Sequence, residues 1–234
     1  MHMSDGIVDA PTSAVFGLIA AGGLGYALVR ARAQLDERTA PMAGLVAAFV
    51  FALQMINFPI LPGVSGHLLG GALAAILVGP WLGSVCVGIV LIVQALLFAD
   101  GGLTALGTNI TNMAIIGTAV GFGVALALRP LAARGRRWLV AVAFVSAFVN
   151  TVVASLGFVL QYAIGGAGGA SLGAVAVSMV GLHALIGIGE GIITALTVGA
   201  VASARPDLVY LLRGKAPRPR TAPAPQVSPE GSAS

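Results

Sequence analysis

The stretch Leu68-Leu-Gly-Gly-Ala-Leu-Ala-Ala-Ile-Leu-Val-Gly79-Pro80-Trp81-Leu-Gly-Ser-Val-Cys86-Val-Gly-Ile-Val-Leu-Ile-Val-Gln-Ala-Leu-Leu-Phe98 decides how often this chain crosses a membrane. It reads either as one long tilted helix or as two helices broken at Gly79-Pro80. The basic residues settle the choice, because Lys and Arg concentrate on the cytoplasmic side of membrane proteins. With the break, the clusters Arg30/Arg32/Arg38, Arg129/Arg134/Arg136/Arg137 and Arg205/Arg213/Lys215, together with Arg218 and Arg220, all fall on one side. Without it, the arginines from Arg129 to Arg137 face outward while the other clusters stay inside. The consistent solution is an all-α integral membrane protein of about seven transmembrane helices, with the N-terminus outside and the C-terminus cytoplasmic.

Composition agrees. Of 234 residues, 58% are hydrophobic and 9% charged, with a mean hydropathy of +0.99. A soluble domain carries roughly 45–50% apolar and about 25% charged residues, so most of this chain is dissolved in lipid. The apolar runs are continuous and do not alternate, which excludes a membrane barrel. The formal charge of +4 sits in short clusters beside apolar segments without interleaved aromatics, so it reads as a topology signal and not as a nucleic-acid surface. The one cysteine, Cys86, lies inside an apolar run and reads as packing. The first eleven residues carry no Lys or Arg and the positive charges follow the first apolar run. No cleavable signal peptide is visible, and Met1 is expected to remain.

The apolar runs are Thr12–Val29, Ala40–Asn57, His67–Val78, Trp81–Phe98, Thr104–Leu128, Trp138–Ile164 and Leu172–Ala202. They divide the chain into an outer N-terminal segment (1–11), a seven-helix transmembrane domain (12–204) and a basic, Pro/Ala-rich, disordered cytoplasmic tail (205–234). The third run is about twelve residues long, roughly 18 Å at 1.5 Å per residue, against a hydrocarbon core of roughly 30 Å. The stretch before it, Phe58-Pro-Ile-Leu-Pro-Gly-Val-Ser-Gly66, holds two prolines and two glycines and is predicted to be non-helical. Such backbone survives at membrane depth only where it lines a protein cavity. His67 is therefore predicted to open a short third helix at the floor of an outward pocket.

The histidines are His2, His67 and His183, and the topology places His2 and His67 on the outer side. In Met1-His2 the free α-amine, the backbone nitrogen of His2 and its imidazole can close two fused chelate rings on one metal once the amide proton is lost. A fused peptide chelate is planar, and a nitrogen from His67 completes a square suited to Ni(II) or Cu(II) and less to Zn(II), with Co(II) as a further guest. Residues 1–11 thus read as a metal-chelating segment with the metal site at Met1, His2 and His67.

The chain resembles the cobalt/nickel substrate-binding subunits (CbiM/NikM type, the S component) of energy-coupling factor transporters over roughly residues 1–205. The resemblance is carried by Met1-His2-Met3-Ser4-Asp5-Gly6-Ile7; by Leu61-Pro-Gly-Val-Ser65-Gly-His67-Leu-Leu-Gly-Gly-Ala72, continuing to Gly79-Pro80-Trp81; by Leu106-Gly-Thr-Asn109-Ile-Thr-Asn112-Met113; and by Gly181-Leu-His183-Ala-Leu-Ile-Gly-Ile-Gly-Glu190-Gly-Ile-Ile-Thr194. It implies that the metal is held by the N-terminal amine, the amide and imidazole of His2, and His67. It also implies Ni(II) or Co(II) as transported substrate with no organic cofactor. The implied partners are a transmembrane coupling subunit, two cytoplasmic ATPase subunits and, in many such systems, a small accessory membrane subunit. The implied location is a multi-pass position in the inner or plasma membrane. The chain has no Gly-x4-Gly-Lys-Ser/Thr loop, so ATP hydrolysis falls to partners.

Ser65, Asn109, Asn112, His183 and Glu190 are candidates to support the metal ligands. His183 and Glu190, seven residues apart on the last helix, lie on nearly one face, where a hydrogen bond to each other or to another helix satisfies them. Asn109 and Asn112 are placed to orient His67 or the chelate. Asp5, Asp9 and Asp100, the acidic residues on the outer side, read as a solvated face. An independent secondary transporter or channel for divalent metal ions is the alternative function, but it calls for charges along a through-path, and only Glu190 sits clearly inside a helix. An intramembrane metalloenzyme is disfavoured: there is no His-Glu-x-x-His, and four nitrogen ligands leave no position for a catalytic water.

Overall fold

The computed structural model describes residues 1–213. Lys215, Arg218, Arg220 and the remainder of the expected disordered tail lie outside the described residues. Seven helices carry the body: α1 (Ala10–Arg32), α2 (Thr39–Gln54), α3 (Gly71–Val78), α4 (Pro80–Leu97), α5 (Leu106–Ala127), α6 (Arg136–Gly165) and α7 (Leu172–Ala204). Five of these, α1, α4, α5, α6 and α7, are long and apolar enough to cross a bilayer. Side chains such as Leu18, Leu97 and Val177 stand about three-quarters exposed on the outside of the bundle, as a lipid-facing surface requires.

The predicted break is real. Gly79 has φ +92°, and a Cβ there would meet the Tyr210 ring at 2.9 Å. Pro80 then occupies the first turn of α4, where its missing N–H is not needed. The arginine clusters gather at this end: the Arg30 guanidinium lies 5.8 Å from the Trp81 ring centre, and Arg129 donates to the carbonyl of Arg213. The N-terminal segment is tied to the opposite end, where Asp9 N–H donates to the Gly165 carbonyl at 2.7 Å and Ala167 N–H to that of Ile7 at 3.0 Å. By the positive-inside rule the arginine end is cytoplasmic and the N-terminal end outside.

Three details depart from the sequence reading. His67 does not open a helix: it closes a strand, and α3 begins four residues later at Gly71. The non-helical stretch is a hairpin, β2 (Asn57–Leu61) and β3 (Val64–His67), and β1 (His2–Met3) adds to it in the antiparallel order β1-β3-β2. Pro59 falls on the edge strand, where proline is tolerated. Last, order runs past the expected boundary at 205, through short turns at Pro206–Leu208 and Tyr210–Leu212 that bury Val209 and Leu211.

α3, at eight residues, is shorter than its apolar run because Gly70 stops it. Gly70 has φ +79°, and a Cβ there would lie 2.7 Å from Val50. Only glycine both adopts that backbone and fits. Inside α5 the residues Thr111–Gly117 form a π-turn, a feature frequent near functional sites.

Candidate metal centre

Strand register assembles the site. His2 lies opposite Ser65 and Met3 opposite Val64. Directly opposed residues share a face, and so do residues two apart on a strand. His2, Ser65 and His67 therefore present to one side, and the His2 and His67 ring centres stand 4.5 Å apart. Asn57, opposite His67, joins the same face. Met1 and His67 are fully buried and His2 is 3% exposed, so these groups are closed over and do not line an open pocket.

The tautomer of His67 follows from its partner. Its Nδ1 lies 2.7 Å from the Leu68 carbonyl, which can only accept, so Nδ1 carries the proton and Nε2 keeps a lone pair. That Nε2 is buried without a hydrogen-bond partner. A buried polar atom left unpaired costs about 1–3 kcal/mol.

Burial acts on the nitrogens in the same sense. It holds the Met1 amine well below its ordinary value, outweighing Asp100 and Glu190. It lowers the His2 imidazole against the opposing pull of Asp100, and it sets His67 well below the usual imidazole range. Burial thus disfavours the protonated form of all three groups, and metal binding needs the deprotonated form. Among the described residues no three His, Cys, Asp or Glu side chains gather into a metal site.

Two of the supporting candidates hold this geometry. Asn109 grips Met3 at both ends, its Oδ1 accepting from Met3 N–H at 2.9 Å and its Nδ2 donating to the Met3 carbonyl at 3.1 Å, and so pins β1. The buried Glu190 carboxylate accepts four hydrogen bonds: from Leu69 N–H at 2.8 Å, Gly70 N–H at 2.9 Å, Asn150 Nδ2 at 3.1 Å and the Thr151 hydroxyl at 2.8 Å. It thereby clamps the segment that follows His67 to α6 and α7.

The other candidates sit differently. Asn112 donates to Gln161 Oε1 at 2.7 Å and joins α5 to α6. His183 donates from Nδ1 to the Met179 carbonyl one turn back, at 2.8 Å, and does not bond Glu190. Ser65 Oγ has no partner. Cys86 packs, with its thiol against the Ala43 carbonyl.

Asp100 and Asn57 are the residues that the sequence reading missed. Asp100 is no solvated carboxylate: its side chain is 14% exposed and its Oδ1 lies 2.9 Å from His2 Nδ1, while its Oδ2 accepts from Asn57 Nδ2 at 3.0 Å. Burial pushes its carboxyl up, but His2 and Asn57 outweigh burial and hold it below the ordinary range. Asp5 accepts from the Thr104 N–H and hydroxyl and so ties the N-terminal segment to the turn before α5, while Asp9 caps α1 through Thr12 N–H. The only signal for Asp100 was its place in the Ala99-Asp-Gly-Gly102 turn, where Ala99 takes φ +52°, a conformation rare outside glycine.

The family CbiM, described as the cobalt uptake substrate-specific transmembrane region, matches residues 2–208. A putative fused nickel transport protein NikMN of Archaeoglobus fulgidus is 40% identical over 209 residues, covering 89% of this chain and 68% of its own. A cobalt transport protein CbiM of Sorangium cellulosum is 31% identical over 220 residues, covering 91% and 96%. Among solved structures, a transition metal transporter superposes with a TM-score of 0.81 at 28% identity, over 92% of this chain and all of that one. These relatives are transport proteins and not enzymes, and the bundle is a multi-pass membrane protein. The chain belongs to the family of cobalt-uptake substrate-specific transmembrane regions.

Proposed function

We propose that this chain is the substrate-capturing membrane subunit of an energy-coupling factor importer and takes Ni(II) or Co(II) from the outer side. The Met1 amine, the deprotonated His2 amide, the His2 imidazole and His67 Nε2 form a planar set of nitrogens. The supporting observation is the unpartnered, buried Nε2 of His67 beside the His2 ring at the closed N-terminal end. Asn109 holds the chelating strand and Glu190 holds the segment that follows His67. Uptake is driven by ATPases on partner chains through a transmembrane coupling subunit, with a small accessory membrane subunit where one is present.

The test is calorimetric titration of the untagged, detergent-solubilised protein with Ni(II), Co(II), Cu(II) and Zn(II), with visible absorption recorded in parallel. One-to-one binding with a planar-nickel band supports the proposal. A folded sample with a free Met1 amine that binds none of the four overturns it.

A further inference from the structure

The proposed chelate and the observed contact of His2 make competing demands on one atom. A ring closed from the His2 amide nitrogen through Cα, Cβ and Cγ ends on Nδ1, whereas Nε2 lies on the far side of the imidazole and cannot close it. Yet Nδ1 is the atom that faces Asp100 Oδ1, at 2.9 Å, while His2 Nε2 is buried without a partner. An ionised carboxylate only accepts, so Nδ1 carries the proton in this state.

We propose that Asp100 is the positioning residue of the His2 ligand: it holds Nδ1–H while the protein is metal-free and yields that nitrogen when metal is captured. The inference rests on the chelate reading of the preceding subsection. On capture the imidazole turns about its Cβ–Cγ bond, Nδ1 gives its lone pair to the metal, and the ring proton resides on Nε2. The ring exchanges one N–H for the other and remains neutral. Metal-bound histidines nearly always donate their second N–H to a carboxylate, carbonyl or water, and Asp100 is the carboxylate at hand for both states.

The position of Asp100 is built from three directions. Asn57 Nδ2 holds its second oxygen at 3.0 Å, and its own N–H donates to the Gln94 carbonyl at 3.1 Å. The next turn is fixed to the chelating strand, since Gly102 N–H donates to the Met3 carbonyl at 2.8 Å. Asp100 thus joins β1 to β2 across β3, on the face that carries both imidazoles.

The experiment is nitrogen NMR of untagged protein labelled at the histidine rings, with H2A used to assign His2 among the three histidines, before and after addition of Ni(II). A planar Ni(II) complex is diamagnetic, so both states can be read. In the metal-free wild type His2 is expected to be protonated at Nδ1, and after loading at Nε2. D100A should lose the metal-free preference and bind Ni(II) about 10–100-fold more weakly, the usual effect of removing a ligand's orienting partner. D100N keeps an acceptor oxygen and should retain the Nδ1–H form with a smaller loss, which also guards against a folding defect in D100A.

A metal-free wild type protonated at Nε2, or a folded D100A with wild-type tautomer and affinity, overturns the role of Asp100 and leaves the chelate standing. A loaded wild type still protonated at Nδ1 overturns the exchange and the fused chelate together.

Discussion

His67 and His183 carry the same side chain in the same state. Each is fully buried, each donates from Nδ1 to a main-chain carbonyl, Leu68 at 2.7 Å and Met179 at 2.8 Å, and each keeps an unpartnered Nε2. What differs is the element. His183 sits on α7, and its Nδ1 is taken by its own helix one turn back. His67 sits on a strand whose neighbour is the N-terminus, so the register that sets His2 opposite Ser65 also brings the Met1 amine and the His2 amide to the same end. A buried neutral imidazole is therefore not enough to make a site. The strand supplies what a helix cannot, because a helix consumes its own backbone nitrogens in internal hydrogen bonds.

The largest effects that can break this comparison fall on the proposed ligands. Removing His2 or His67 by H2A or H67A should weaken Ni(II) binding by more than the roughly 10–100-fold typical of a merely supporting residue, and titration of the two variants beside wild type reads it. Retained affinity in H67A would place His67 with His183 as a packing residue.

Next comes Glu190. E190Q turns one accepting oxygen into a donor that faces main-chain N–H groups, and it should lower Ni(II) affinity by about 10–100-fold. N150A and T151A leave the Leu69 and Gly70 bonds intact and should lose less. Equal losses in all three would reduce Glu190 to a joint between α6 and α7.

The pH dependence of stability is a smaller effect with a definite sign. Burial lowers both His2 and His67, so in the folded state they stay neutral below the ordinary imidazole value of about 6.5, where the unfolded chain takes up protons. The unfolded state then binds more protons, and these histidines cost stability as pH falls below about 6.5, while the Met1 amine, lowered in the same sense, begins to cost it below 8.0. Thermal unfolding of the metal-free protein across pH 5–8 should show this slope, and H67A should flatten it. Smallest of all, H183A should leave Ni(II) affinity and the planar band unchanged, and a tenfold loss would bring His183 into the site.

The membrane-spanning body was legible in the sequence because lipid demands long apolar runs and charge sorts their ends. Gly79-Pro80, read against the arginines, separated α3 from α4. The closeness of His2 and His67 was expected from their shared outer side and from the family resemblance, and their ring centres stand 4.5 Å apart.

The strands were not legible. A two-residue β1 has no periodicity to read, and the shift of His67 from helix to strand turns on the left-handed Gly70 meeting Val50 across the bundle. Asp100 was hidden for the same kind of reason: its partner His2 lies 98 positions away in sequence, and an acidic residue in a glycine-rich outer turn has the local signature of an exposed one. Asn112 shows the reverse error, since its motif lies beside Asn109 while its side chain turns to Gln161.

The central claim is that the free N-terminus itself coordinates the metal, and the most direct measurement is Ni(II) titration of the native chain beside one acetylated at Met1. Acetylation removes the amine lone pair and leaves every side chain in place. The account predicts that the acetylated protein, folded to the same extent, loses tight binding and the planar-nickel band as completely as H2A. Equal affinity and an unchanged spectrum in the acetylated protein would contradict it.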